Sequence, residues 1–170
     1  MNKERNASYW IKKLNLEVHP EGGYFKELYR SNELIKQNDL PKRYDEEHCF
    51  FTSVYFLLEG KQISHFHKSK SDEILHFYDG SSLTVHFIDE KGKLIQQKVG
   101  LDVDKGELPQ YLVPKNCWFC LEVDDKQSFT LLGCTVSPGF LFADFELGNK
   151  TILIKRYPDY KSLIEKFTIE

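Results

Sequence analysis

From Cys49 to Val136 the chain is a succession of short apolar runs closed by turn residues, and this rhythm limits the fold more than any other feature. The runs are 49–58, 62–67, 73–79, 82–88, 93–99, 110–113, 117–123 and 127–136, and Glu59-Gly60, Asp79-Gly80, Lys91-Gly92, Lys105-Gly106 and Asp124-Asp125 separate several of them. Short strands at regular spacing fold into a sandwich or barrel. No strand alternates with a helix here, so a doubly wound parallel sheet is excluded. At 170 residues the chain suits one domain, 1–170, with a sizeable core. Its 13 Phe and 9 Tyr fit a β-rich interior or an aromatic-lined pocket.

The flanks read differently. Residues 6–14 form a short helix, capped by Asn6 or Ser8, with Tyr9, Trp10, Ile11 and Leu14 as its apolar stripe. The segment HPEGGYF follows, and its Pro20 and Gly22-Gly23 mark a turn. Residues 24–30 alternate as a strand. Residues 31–48 are polar and aperiodic, a surface loop that serves either as a lid or as a mobile connector. After Pro138-Gly139, residues 151–157 take helical spacing and Pro158 interrupts. Tyr160, Leu163, Ile164 and Phe167 then stripe a last helix. These helices are expected outside the barrel or across a dimer.

A net charge of −3 with no dense Lys/Arg cluster argues against a nucleic-acid partner. No apolar run is long enough to span a membrane, and the polar start MNKERNASYW lacks the apolar core of a secretory leader. The expectation is a cytoplasmic protein with no membrane partner. Cys117 and Cys120 form a CxxC, but on a strand residues three apart face opposite ways. With no second pair, they and Cys49 and Cys134 read as small buried hydrophobes.

Chemistry concentrates in GKQISHFHKSKSDEILHFYDG, residues 60–80. His65 and His67 stand two apart, which on a strand turns both imidazoles to one face. Glu73 joins them if residues 68–72 turn the chain back. Two histidines and a carboxylate can hold a metal, move a proton or bind a polar ligand.

Gly60, His65, His67, Glu73 and Gly80 resemble the first motif of the cupins, with the step from His67 to Glu73 slightly long. Four blocks sharpen the resemblance to the DUF985 (cupin-5) family: HPEGGYFKELYRS, SHFHKSKSDEILHFYDG, YLVPKNCWF and SPGFLFADFELG. Together they span nearly the whole chain. The resemblance implies a mainly β double-stranded β-helix, a jelly-roll barrel with a pocket in its mouth, and a homodimer. It implies no established biochemical role. In the second cupin motif a histidine ligand follows the glycine of PxG by three; here Asn116 replaces the glycine and Phe119 takes the histidine's place. Trp118 resembles the tryptophan common in this branch, and His65 is less typical of it than His67.

Three readings of the pocket follow. The first is a binding module for a polar or cyclic small molecule, in which Tyr55, Phe77 and Trp118 stack on a ring, Ser64, His67 and Glu73 bind its edge, and Tyr24 adds a wall. Trp118 is expected to close the floor. The second is a metal-free sugar epimerase or isomerase with His67 as base and Glu73 orienting it, and with Tyr24 or Tyr55 as acid or wall. Only Arg30, Lys61 and Lys68 are then near enough for a diphosphate. The third is a metal-dependent isomerase or oxygenase on His65, His67 and Glu73. No cofactor is expected under the first reading; a divalent transition metal belongs to the third. His76 reads as a sheet residue facing away from Glu73, His48 and His86 as loop or surface residues, and His19 as part of a turn. Phe140, Phe142 and Phe145 read as core or dimer contacts, and Asp144 as a partner for backbone near Pro138-Gly139.

Overall fold

The structure is a computed structural model that describes residues 5–169. The chain opens with α1 (Ala7–Leu14), β1 (Glu17–Val18), β2 (Tyr24–Arg30), β3 (Leu34–Ile35) and β4 (His48–Cys49). The central run is β5 (Thr52–Glu59), β6 (Ile63–Ser69), β7 (Asp72–Gly80), β8 (Leu83–Ile88) and β9 (Leu94–Val99). It continues as β10 (Gln110–Val113), β11 (Trp118–Val123) and β12 (Phe129–Ser137), before β13 (Phe145–Leu147), α2 (Lys150–Arg156) and α3 (Lys161–Lys166). The eight expected runs all become strands. Asn6 caps α1 by accepting the Tyr9 N–H at 2.9 Å.

The strands form a six-stranded sheet, β1-β2-β5-β12-β7-β10, and a five-stranded sheet, β13-β6-β11-β8-β9. Neighbours within each sheet run antiparallel. The sheets face one another as a jelly-roll barrel. Period-two alternation sorts β11: Phe119, Leu121 and Val123 turn inward to meet Phe56, Leu58, Leu75, Val85 and Leu132. Cys117 belongs to that interior. Cys120 and Trp118 join Phe66, Leu153, Ile164 and Phe167 outside the five-stranded sheet, beneath α2 and α3. On the far side, α1 lays Trp10, Ile11 and Leu14 over Leu57, Leu131, Tyr24 and Tyr55. Both groups of helices therefore cap outer faces of the barrel. All four cysteines are buried free thiols, as expected.

Three expectations fail for physical reasons. Phe119 pairs with His67 but Leu121 pairs with Ser64, so the two residues His65 and Phe66 lie opposite the single residue Cys120. That bulge reverses the alternation, and the two histidines point different ways. Residues 31–48 are not a free connector. β3 and β4 pair with each other, and Tyr44 is buried with its hydroxyl 2.9 Å from Ser71 Oγ. His48 and His86 are buried as well; His86 bonds Glu122 at 3.1 Å and Gln96 at 2.9 Å. Asn116 takes φ 60°, the left-handed conformation that the PxG glycine would supply.

Candidate functional site

A cavity of about 90 Å³ opens between the sheets at one end of the barrel. Its floor and walls come from Phe25, Phe56, Phe119, Leu121 and Val136, and its rim from Phe140, Phe142 and Phe145. The polar groups inside are His19, Glu21, His67, Ser69 and Glu73, with Glu27, Arg30 and Thr52 toward the rim. Arg30 holds Glu27 at both carboxylate oxygens, 3.1 and 2.7 Å, and donates to the Phe140 carbonyl at 3.1 Å. Its charge is therefore spent on holding β2 to the rim.

His67 reaches the cavity because it lies beyond the β6 bulge. Its ring packs 3.9 Å from Phe119 and 5.4 Å from Phe145, centroid to centroid. Nδ1 donates to the His65 carbonyl at 2.7 Å, and Nε2 lies 3.2 Å from Glu21 Oε2. Burial depresses the His67 pKa, against weaker upward pulls from the His65 carbonyl and Glu73. Glu73, at the start of β7, faces the same cavity. Burial first, and the neighbouring Glu21 second, push it up to about 7.

Glu21 is the residue that sequence reasoning misses. It is 7% exposed, and Oε1 accepts the Ser64 hydroxyl at 2.7 Å. Burial raises its pKa, although His19 and Ser64 oppose the rise. The turn that carries it depends on glycine at two positions. Gly22 and Gly23 take φ of 110° and 74°, and a Cβ on Gly22 would fall 2.2 Å from the Ile63 carbonyl oxygen. That close approach lets β6 receive the turn, with the Glu21 carbonyl accepting the His65 N–H at 2.7 Å. His19 enters too, in an aromatic nest with Phe25 at 4.7 Å and Phe142 at 6.0 Å. Burial lowers its pKa.

The structure thus brings His67 and Glu73 together and places Ser64 behind them as a support for Glu21. It does not bring the other candidates in. His65 points away, with Nδ1 donating to the Glu21 carbonyl at 2.7 Å, in a separate surface groove beside Gly22 and Lys61. Tyr24 and Tyr55 lie under α1, and Phe77 packs in the core away from the cavity lining. Trp118 does not form the floor; it is outside the sheet, with Lys68 Nζ 4.5 Å from its ring. Phe119, its neighbour, takes that place. Phe140, Phe142 and Phe145 line the cavity rather than serving only as core. His76 faces outward and bonds Thr135 at 3.1 Å, as its alternation requires. Asp144 pairs with His48 and Lys70 rather than with backbone at the Pro138 turn.

A profile described as "Cupin superfamily (DUF985)" matches residues 8–148. The chain belongs to this cupin family. Among solved structures, a protein of Shewanella oneidensis is 40% identical, covering 96% of this chain and 98% of its own with a TM-score of 0.87. A hypothetical protein from Leishmania major is 33% identical, covering 97% and 99%, also with a TM-score of 0.87. An uncharacterised protein of Saccharomyces cerevisiae is 28% identical, over 74% of this chain and 67% of its own. The cupin oxalate decarboxylase of Bacillus subtilis, a protein with Mn(II) centres, is 16% identical with a TM-score of 0.54, and this chain spans 38% of it. That last likeness concerns the fold alone.

Cupin relatives with metals raise the question of whether these residues fit one. They do not form the expected triad. His65 is turned away, Phe119 offers no donor, and both His19 Nδ1 and His67 Nε2 close on a single Glu21 oxygen. Among the described residues no group of three or more His, Cys, Asp or Glu side chains is arranged to hold a metal ion. Among the same residues no helix is long and apolar enough to cross a membrane.

Proposed function

We propose that this cupin binds a small organic molecule in the cavity between its sheets. The supporting observation is the lining itself: apolar rings enclose a few polar groups, His67 and Glu73 foremost, that converge on one space. An aromatic enclosure removes water from a ligand, and the polar groups fix its orientation. A second reading, that the cavity moves a proton on its ligand, is favoured by Glu73, whose pKa of about 7 suits exchange at neutral pH. Under either reading no metal is assigned.

Native mass spectrometry with elemental analysis, on protein purified without a chelator or a histidine tag, tests the binding reading. The expected result is a stoichiometric organic mass that survives in Trp118→Phe and is lost in His67→Ala. Trp118 lies outside the sheet, so its fluorescence should not respond to the ligand. A mass lost with Trp118 but kept without His67 would overturn the reading. So would a bare protein that takes up nothing from a fragment library.

The same proposal includes a homodimer. Tyr29, Ser53, Thr135, Ile74 and Leu112 pair in sequence across β2, β5, β12, β7 and β10 on the outer face of the six-stranded sheet. At the ends of this row Tyr29, Ile74 and Leu112 are 46%, 39% and 49% exposed. Apolar side chains in such a row suit burial against a second copy. Light scattering should give twice the monomer mass, and Ile74→Glu with Leu112→Glu should halve it. A wild-type monomer at every concentration would refute the dimer.

A further inference from the structure

Three hydrogen-bond acceptors meet at one point of the cavity. The His65 carbonyl can only accept, so His67 Nδ1 carries the hydrogen of that 2.7 Å bond. A neutral ring then presents a lone pair at Nε2, 3.2 Å from Glu21 Oε2. His19 Nδ1 lies 3.4 Å from the same oxygen, but its one lone pair already accepts the Glu21 backbone N–H at 3.3 Å. Glu21 Oε1 is already an acceptor, from Ser64 at 2.7 Å. The free lone pair of His67 Nε2 and the Glu21 carboxylate oxygen repel unless a proton sits between them. Placed on Oε2, that proton is donated to His67 Nε2, and every group is satisfied without burying a charge. Burial acts in the same direction on all three, holding both rings below their ordinary pKa and Glu21 above its own.

We infer that Glu21 is the resident proton donor of the cavity, an uncharged carboxylic acid that works opposite Glu73 as proton acceptor on a ligand with a carbonyl oxygen beside a removable C–H. This rests on the reading of the cavity as a ligand site. It also replaces His67 as the base, because Nε2 of that ring is engaged by Glu21; His67 positions the acid. With one carboxyl held protonated, the other is the one that ionises near neutrality. In the forward step the Glu73 carboxylate takes the proton from the carbon beside the carbonyl. The C–H electron pair becomes the new C=C bond, the carbonyl π pair moves onto oxygen, and that oxygen takes the proton from Glu21 Oε2, whose hydrogen bond to His67 Nε2 breaks in the step. The products are an enol, protonated Glu73 and ionised Glu21. Return of the proton to carbon from Glu73, and of the hydroxyl proton to Glu21, closes the cycle with no further reactant.

The protonation half is measurable without any ligand. The infrared spectrum of the wild type minus that of Glu21→Gln at neutral pH should show a carboxylic-acid carbonyl band, and nitrogen-15 NMR should show singly protonated His19 and His67 in both proteins. A glutamine amide donates to His67 as the acid does, so the variant should fold. No acid band together with an imidazolium at His67 would overturn the inference, as would a stoichiometric metal at this junction. For the chemical half, cyclopentanone in heavy water should exchange its hydrogens beside the carbonyl faster with the wild type than with buffer. The acceleration should fall about a hundredfold in Glu21→Gln and in Glu73→Gln. Cyclopentanone that binds without exchanging, or does not bind, would overturn the ligand chemistry. A captured molecule with no carbonyl would overturn that chemistry too, while leaving the small-molecule reading intact.

Discussion

Glu73→Gln is expected to stabilise the fold by about 3 kcal/mol near pH 8 and to change it little below about pH 4.5. Burial above all raises the Glu73 carboxyl from the ordinary 4.5 to about 7, and Glu21 adds to the rise only when it is itself ionised. A carboxyl whose folded pKa is raised favours the folded state only while it keeps its proton. That stability is full below the unfolded pKa and is lost as the pH climbs through about 7. Each tenfold change in acidity between the unfolded and folded chain is worth about 1.4 kcal/mol, which sets the size of the loss. Glutamine has no proton to lose, so the variant should lack this slope. Urea unfolding near pH 5 and near pH 8 would measure it, with a melting-temperature gain of about 6–12 °C expected at the higher pH. Equal stabilities at both pH values would show that Glu73 ionises as freely in the barrel as in water. A residue that weakens its own fold at neutral pH is hard to explain by packing. Its burial beside another carboxyl makes sense as preparation for proton exchange.

Much of the fold was legible because its signals are local. In β11 the sequence Trp118-Phe119-Cys120-Leu121 alternates, and the structure sends Trp118 and Cys120 to the helices while Phe119 and Leu121 enter the barrel. Leu163, Ile164 and Phe167 have helical spacing and pack on that same outer face. The short strands β1, β3, β4 and β13 were not readable, since two or three residues carry no period. Nor was the order inside residues 31–48, where polar side chains such as Tyr44 and His48 are fixed by distant partners rather than by apolar spacing.

The site was less legible. Placing His67 and Glu73 on one cavity needed only a strand and its return. Adding His65 assumed unbroken alternation, and the bulge opposite Cys120 is invisible in the spacing of the two histidines. Choosing Trp118 for the floor followed residue type; the parity of Phe119 with Leu121 and Val123 already pointed to the neighbour. Glu21 did leave a signal. A carboxylate between Pro20 and Gly22-Gly23 occupies a turn with a highly specified backbone, which a merely exposed acid does not need. What the sequence could not reveal is that the turn docks against β6, because that is set by the Gly22 contact with the Ile63 carbonyl.

Asp144→Ala is expected to cost about 3 kcal/mol and to loosen the rim of the cavity. Asp144 lies between two rim residues, Phe142 and Phe145, and is 6% exposed. Its Oδ2 meets Nε2 of the buried His48 at 2.5 Å, and Oδ1 meets Lys70 Nζ at 3.3 Å. His48 is held from behind by the Glu46 carbonyl at 2.9 Å and by the Tyr44 ring at 4.5 Å. Asp144 therefore clasps the aromatic rim to the segment 31–48 and to the β6–β7 turn. Removing one member of a buried pair leaves its partner desolvated and uncompensated, which costs about 3–5 kcal/mol in comparable sites. Lys70 is 26% exposed and can return to water, so the lower end of that range applies. Denaturant unfolding of Asp144→Ala, His48→Ala and the double variant would separate the pair from its surroundings. A coupling of more than about 1 kcal/mol is expected, since the residues share a contact. The same variants should bind ligand more weakly even though neither residue lines the cavity, because Phe142 and Phe145 lose their fixed anchor. Additive losses with unchanged binding would mean that the rim holds its place without the clasp.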